Sequence, residues 1–104
     1  MLVEVLTFEG CPNAELTLAL VREVASEVGV DPDLVVVDVP DIEAAEWLGF
    51  LGSPTVRVDG RDVEPGADER DQAVYACRVY RSASGLSGLP GRDWIVAALR
   101  AASR

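Results

Sequence analysis

Histidine and lysine are both missing from this chain, and the absence of histidine excludes much of the common chemistry of protein sites. The 104 residues contain no His, and all nine basic residues are Arg. Without an imidazole, the chain has no Ser-His or Cys-His catalytic pair, no histidine ligand for a metal ion and no histidine-based pH switch. Thiol and carboxylate chemistry remain.

Positive charge and long apolar runs are also scarce. The 18 acidic residues outnumber the nine basic ones, and the net charge of -9 opposes binding to a phosphate polyanion, so we expect no nucleic-acid partner. No apolar run approaches the length of a membrane span, and residues 1–4 lack the basic region of a signal peptide. We therefore expect a cytoplasmic protein with no membrane partner. In that compartment we expect its two cysteines, Cys11 and Cys77, to be reduced and to take part in chemistry rather than to form a structural disulfide.

The order of predicted elements alternates between strand and helix within a single domain, residues 1–104. A near-continuous apolar run over residues 2–8 predicts a central strand, and residues 12–28 have the apolar spacing of an amphipathic helix that stops at Gly29. The β-branched run over residues 34–39 predicts a second strand, parallel to the first.

The rest of the chain continues this α/β order. Asp41 is placed to cap a second helix, whose Trp47 we expect to pack on the sheet or to line a groove near Cys11. Residues 55–58 and 61–64 flank Asp59-Gly60, the strongest hairpin dipeptide in the chain, and residues 92–102 predict a last helix, with Trp94 on its apolar side. The expected fold is α/β, a central four-stranded mixed sheet flanked by helices.

Residues 65–91 form an insertion before the C-terminal helix and are the hardest part of the chain to interpret. Residues 75–81 alternate in a way that suits an extended segment, whereas a helix over residues 68–81 is nearly as consistent with the pattern. The glycine- and serine-rich residues 82–88 predict a mobile surface loop.

Cys11 is the candidate reactive residue. It directly precedes Pro12 at the predicted first turn of a helix, where free backbone N–H groups and the positive end of the helix dipole stabilise a thiolate. The thiolate is the attacking form of cysteine, although the carboxylates of Glu9 and Glu15 oppose this stabilisation. The alternative is that Cys11 is only a small residue at a helix start.

Two short motifs carry a resemblance to a known family. Gly10-Cys11-Pro12-Asn13-Ala14 after the first strand and Ser53-Pro54-Thr55 before the third resemble the two halves of the active site of the thioredoxin superfamily, and Cys11-Pro12 is more similar to glutaredoxins than to thioredoxins. The resemblance implies a thioredoxin-like fold with Cys11 as the nucleophile. Ala14 stands where dithiol members carry their second cysteine.

The resemblance also assigns substrate-binding roles. It implies a site formed by Pro12, Ser53, Pro54 and Thr55, with a cis Pro54 that turns the backbone of Ser53 toward an extended thiol substrate. A trans proline that merely starts a strand is the alternative. In glutaredoxins a Gly-Gly and an Asp after the hairpin help to hold glutathione; here these positions correspond to residues 66–68, so Asp68 is a candidate contact for glutathione as a co-substrate. No resident cofactor or metal site is expected.

Cys77 and Arg78 lie in the insertion and are open to two interpretations each. Cys77 is either a resolving thiol that reaches Cys11, which needs Cα atoms within about 7 Å, or an inert cysteine packed in a core strand. Arg78 either steers a thiolate or a carboxylate-bearing substrate, or is a solvated side chain.

Three functions follow from these residues. The first is a thiol-disulfide oxidoreductase in which Cys11 attacks a protein or small-molecule disulfide and Cys77 or an external thiol resolves the product. The second is a non-catalytic binding or adaptor module on the same fold, which Ala14 favours. The third is a handler of soft metals or organometals that uses Cys11 and Cys77 as thiolates.

Overall fold

A computed structural model describes residues 1–83 and 85–104 and has an α/β architecture. Its elements in chain order are β1 (Leu2–Thr7), α1 (Ala14–Val28), β2 (Asp33–Asp38), α2 (Ile42–Leu48), β3 (Thr55–Val58), β4 (Arg61–Asp62), a 3-10 turn (Ala67–Glu69), β5 (Tyr80–Ser82), β6 (Gly85–Ser87) and α3 (Arg92–Ala102). The strands β2-β1-β3-β4 form one mixed sheet, in which only β1 and β2 are parallel. The predicted four-stranded mixed sheet is confirmed.

The sheet buries apolar side chains on both faces. Val3 and Val5 of β1 pack in one cluster with residues of α1 and α3, among them Val21 and Ile95. Leu6 points to the opposite face, since side chains alternate along a strand, and it packs with Ala45 of α2, Val39 and Phe50. The helices α1 and α3 therefore cover one face of the sheet, and α2 covers the other.

Local sequence signals account for most helix ends. The carboxylate of Asp41 accepts a hydrogen bond from the Ala44 backbone N–H at 2.8 Å, which is the predicted cap of α2. Gly29 ends α1 in the left-handed conformation. The start of α1 differs from the prediction, because the helix begins at Ala14 rather than at Pro12. Cys11 thus lies in a turn before the helix rather than inside its first turn.

The predicted hairpin is present, but its second strand is shorter than expected. Residues 55–58 form β3 as predicted, whereas β4 ends at Asp62 rather than at residue 64. The Val63 N–H still donates to the Val56 carbonyl of β3 at 3.1 Å, whereas the Glu64 N–H donates to the Asp62 carboxylate at 2.9 Å.

Within residues 65–91, the extended interpretation of the central part is confirmed and the helix over residues 68–81 is wrong. The only helical turn between these residues, in the part that the structure describes, is Ala67–Glu69. Part of the stretch 82–88, which we expected to be a loop, is extended, because Ser82 ends β5 and Gly85–Ser87 form β6, which pairs antiparallel with β5. Ser84, within that stretch, lies outside the described residues.

The two tryptophans have different environments. Trp94 lies on α3 with its ring 6.1 Å from that of Tyr80. Trp47 is 88% exposed, so the prediction that it packs on the sheet is wrong. The reason is that α2 turns Ala44, Ala45 and Leu48 toward the core, which leaves Trp47 on the opposite side. Among the described residues, no helix combines the length and the apolar character needed to cross a membrane.

Candidate functional site

The end of β1 and the start of β3 lie side by side at one edge of the sheet. Leu6 pairs with Thr55 in the antiparallel register, and the hydroxyl oxygens of Thr7 and Ser53 lie 2.7 Å apart in a buried hydrogen bond. The loop that carries Cys11 therefore begins next to the loop that carries Ser53 and Pro54. The peptide bond between Ser53 and Pro54 is cis.

Cys11 lies in a tight turn that leads into α1. Its backbone N–H donates to the Phe8 carbonyl at 3.2 Å, and its own carbonyl accepts from the Ala14 N–H at 3.5 Å. Pro12 occupies the second position of this turn and is exposed, whereas Cys11 is half-buried. Cys11 lies two residues before Asn13, the N-cap of the 15-residue helix α1.

An extended segment of the insertion, residues 74–80, lies along the loop that precedes β3; we call it the strap. The Val74 N–H donates to the Phe50 carbonyl at 2.8 Å, the Ser53 N–H donates to the Ala76 carbonyl at 2.9 Å, and the Arg78 N–H donates to the Ser53 carbonyl at 2.8 Å. Ser53 and Cys77 thus form a parallel β-bridge. Both backbone polar groups of Ser53, which the resemblance assigned to a substrate, are bonded to the protein's own strap.

Gly52 allows the strap to come this close. Its φ is +111°, and a Cβ added there would lie 2.9 Å from the Arg78 Cβ and 3.1 Å from the Ala76 carbonyl oxygen. Any other residue would have to adopt a rare backbone conformation and push the strap outward. No pattern in the sequence singles out this glycine.

The side chain of Arg78 anchors the strap to the rest of the protein. Its side chain is 3% exposed and forms ion pairs of 2.8 Å with both Asp62 and Glu64. The guanidinium also donates to the Thr55 hydroxyl at 2.9 Å and lies 4.3 Å from the centre of the Tyr80 ring. Arg78 is therefore a buried, paired cation, and the expectation that it is a solvated side chain is wrong.

Two groups beside Arg78 have shifted pKa values. Burial raises the pKa of Glu64, but hydrogen bonds from Arg78 and Arg70 outweigh it and lower the pKa below its ordinary value. Burial raises the pKa of the Tyr80 hydroxyl well above its ordinary value, although the nearby charge of Arg78 acts in the opposite direction. Both shifts favour the states that the cluster needs, a carboxylate at Glu64 and a neutral phenol at Tyr80.

The remaining predicted binding residues also have partners within the chain. Thr55 is fully buried, and its hydroxyl donates to the Gly52 carbonyl at 2.6 Å. The carboxylate of Asp68 accepts the Asp62 backbone N–H at 3.1 Å, although Asp68 is exposed on the surface. Thr55 and Asp68 therefore both contribute to the framework that supports the strap.

Cys77 is exposed and not packed in the core, so the interpretation of an inert core cysteine is wrong. It shares an edge of the strap with exposed neighbours, while Arg78 and Tyr80 are buried. The segments that carry the two cysteines also touch, since the ring of Phe8 lies 5.2 Å from that of Tyr75. Both Cys11 and Cys77 are free thiols.

Sequence reasoning missed three residues that shape this site, namely Gly52, Asp62 and Tyr80. Asp62 and Tyr80 resembled ordinary hairpin and insertion residues, and only the tertiary structure joins them through Arg78. Within residues 1–83 and 85–104, no three or more Cys, His, Asp or Glu residues are grouped so that they would hold a metal ion.

Comparisons with protein-family models, with curated proteins and with solved structures find no match to this chain. The geometry at the end of the sheet and the chemistry of its two thiols are therefore the observations that bear on function.

Proposed function

We propose that this protein is a thiol-disulfide oxidoreductase with a thioredoxin-like fold, in which Cys11 is the attacking thiolate and Cys77 the resolving thiol. The observation that carries the proposal is the β-bridge between Ser53 and Cys77, at the same sheet end as Cys11. The strap thereby returns a second cysteine to the neighbourhood that Ala14 leaves without one.

The order of elements supports the thioredoxin-like fold. The resemblance implies strand, helix, strand, helix, hairpin and helix, and β1 to β4 with α1 to α3 follow this order. The insertion before the last helix is a departure from the family pattern. The insertion lies between β4 and α3, and the strap is part of it. A cis Pro54 beside a cysteine-bearing turn is also consistent with this fold.

The position of Cys11 supports its role as the nucleophile. The positive end of the α1 dipole stabilises negative charge nearby, and a thiolate attacks a disulfide whereas a thiol does not. The carboxylates of Glu9 and Glu15 weaken this effect, since both are close to Cys11 in the chain and exposed.

The proposed reaction has two exchange steps. The Cys11 thiolate attacks one sulfur of a disulfide, forms a mixed disulfide and releases the other half as a thiolate, which takes up a proton from water. The Cys77 thiolate then attacks the Cys11 sulfur, forms the Cys11–Cys77 disulfide and releases the second half. Two electrons pass from the protein to the substrate, and two equivalents of an external thiol, such as glutathione, return them. An external thiol that attacks the mixed disulfide directly replaces the second step.

A non-catalytic binding module is the second candidate, and one observation favours it. The strap occupies both backbone groups of Ser53, where the resemblance places an incoming substrate. A fold that keeps the thioredoxin-like scaffold but fills its own substrate edge would bind partners elsewhere and show no thiol exchange.

Intact mass spectrometry after treatment with 2-hydroxyethyl disulfide, a small neutral disulfide, tests the proposal. We expect the wild type to become a monomer that has lost two hydrogens and resists alkylation, and the Cys77→Ser variant to retain one mercaptoethanol adduct on Cys11. The Cys11→Ser variant is the control and should react at Cys77 no faster than an unfolded peptide thiol. Two free thiols in the treated wild type would support the binding module instead.

A further inference from the structure

We infer that the substrates of Cys11 are small disulfides of neutral or positive charge, and that extended polypeptides are excluded while the strap is in place. This inference rests on the proposed function and adds a substrate class to it.

The backbone edge of Ser53 is already occupied by the strap. An extended peptide that binds beside a sheet gains most of its affinity from main-chain hydrogen bonds. At this site, the Ser53 N–H and carbonyl already pair with Ala76 and Arg78 at 2.9 and 2.8 Å. A polypeptide substrate would have to replace the strap, whereas a small disulfide needs access to the sulfur alone.

Buried groups fasten the strap in this position. Withdrawal of Arg78 would leave Asp62, whose side chain is 2% exposed, without its countercharge. It would also break the hydrogen bond of 2.6 Å from the Tyr80 hydroxyl to the Pro54 carbonyl if the movement extended that far. A peptide that displaces the strap therefore has to offset the cost of leaving this buried carboxylate unpaired.

The charge of the protein favours some disulfides over others. The protein carries a net charge of -9, and exposed Glu9 and Glu15 lie on either side of Cys11 in the chain. The arginine nearest in sequence to either cysteine is Arg78, and its charge is directed inward to Asp62 and Glu64. An anionic disulfide therefore approaches against the field of the protein, and a cationic one approaches with it.

The test measures adduct formation on Cys11 in the Cys77→Ser variant, so that the mixed disulfide accumulates. Three disulfides of similar size are compared, namely cystamine (dication), 2-hydroxyethyl disulfide (neutral) and dithiodipropionate (dianion), together with the disulfide dimer of an uncharged heptapeptide with a central cysteine. Each rate constant is divided by the rate constant of the same disulfide with N-acetylcysteine amide, which removes the intrinsic reactivity of the reagent.

We expect the normalised rate of cystamine to exceed that of dithiodipropionate by about tenfold at low salt, and the ratio to shrink at high salt because screening removes the long-range field. The peptide dimer should react at least about tenfold more slowly than 2-hydroxyethyl disulfide. A peptide dimer that reacts as fast as the small neutral disulfide, or a dianion that reacts fastest, would overturn the inference and leave the proposed function intact. Failure of all four disulfides would overturn the proposed function as well.

Substitution of Arg78, which fastens the strap, gives a second, independent readout. Arg78→Met, in the Cys77→Ser background, should raise the normalised rate of the peptide dimer and leave that of 2-hydroxyethyl disulfide nearly unchanged. Arg70→Met is the matched control, because Arg70 also pairs with Glu64 but is half-exposed and does not belong to the strap. If Arg78→Met does not fold, Gly52→Ala replaces it, since an added Cβ there pushes against the strap. An unchanged preference for the small disulfide in a folded variant with an open strap would contradict the inference.

Discussion

The hydroxyl of Tyr80 donates a hydrogen bond of 2.6 Å to the carbonyl oxygen of Pro54, and both residues are buried. The ring of Tyr80 also lies beneath the guanidinium of Arg78, so one side chain supports both the Pro54 loop and the cation that fastens the strap. The loop before β3 and the strap are therefore parts of one rigid arrangement, and a change in one should be detectable in the other.

Replacement of Arg78 should destabilise the protein more than any other substitution of an arginine in this cluster. Arg78→Met leaves the buried carboxylate of Asp62 unpaired, and removal of one partner from a buried ion pair typically costs about 3–5 kcal/mol. Arg70→Met should cost less than about 1 kcal/mol, because Arg70 is 49% exposed and its ion pair with Glu64 is screened by water. Urea unfolding of both variants measures the difference, and equal losses would show that the buried pair has no special role.

Gly52→Ala and Gly60→Ala separate the effect of backbone conformation from that of the strap. Both glycines have a positive φ, +111° and +84°, but a Cβ at Gly60 would meet nothing within 4 Å. We expect Gly60→Ala to cost roughly 1–2 kcal/mol for conformation alone. Gly52→Ala should cost about 1–3 kcal/mol more, because its methyl group overlaps with Arg78 and Ala76.

Limited proteolysis of the Gly52→Ala and Gly60→Ala variants shows which segment each substitution destabilises. Cleavage within residues 70–80 should be faster in Gly52→Ala than in Gly60→Ala when the two are compared at equal fractions folded. Equal cleavage rates in that segment would show that the strap does not depend on the close approach at Gly52.

Protonation of Glu64 should lower the free energy of unfolding in acid. Burial raises the pKa of Glu64, but hydrogen bonds from Arg78 and Arg70 give a net lowering from 4.5. A lowered pKa in the folded state means that its contribution to the free energy of unfolding is present above about pH 4.5 and is lost as the pH falls through the folded value. Urea unfolding from about pH 6 to about pH 3 should therefore show a shallower decline for Glu64→Gln than for the wild type. Parallel curves would contradict this assignment.

The contribution of Tyr80 to the free energy of unfolding should be lost in alkali. Burial raises its pKa from 10.0, so the folded protein keeps this proton at a pH where the unfolded chain loses it. The contribution of Tyr80 to the free energy of unfolding is then present below about pH 10 and declines above it. In a Tyr75→Phe background, tyrosinate absorbance should rise only together with the loss of far-ultraviolet circular dichroism. Ionisation of Tyr80 in the folded protein would refute the prediction.

Much of the sheet and its helices could be predicted because the signals are local. The apolar spacing of residues 92–102 matches α3 from end to end, and the Asp59-Gly60 turn fixed the register of β3 and β4. The start of α1 was missed by two residues, because Pro12 suits the second position of a turn as well as the first turn of a helix.

The strap could not be predicted in detail because its stability comes from residues distant in sequence. Residues 74–80 have a pattern that suits either an extended segment or a helix, and the choice is made by the pairing of Cys77 with Ser53 and of Arg78 with Asp62. A buried arginine cannot be distinguished from an exposed one by composition. For the same reason Trp47 was expected inside, although three smaller residues of α2 supply the contacts with the core.

The hydrogen bonds and ion pairs of Arg78 mean that the insertion, residues 65–91, belongs to the folding unit and cannot be removed without loss of stability. A chain shortened to join β4 directly to α3 would retain every strand of the sheet, but Asp62 would lose its countercharge and Ser53 the partners of both backbone groups. We therefore expect such a deletion to destabilise the whole fold and not only to shorten a surface loop. Transplantation of the cysteine-bearing turn into another scaffold would need the strap to be carried with it.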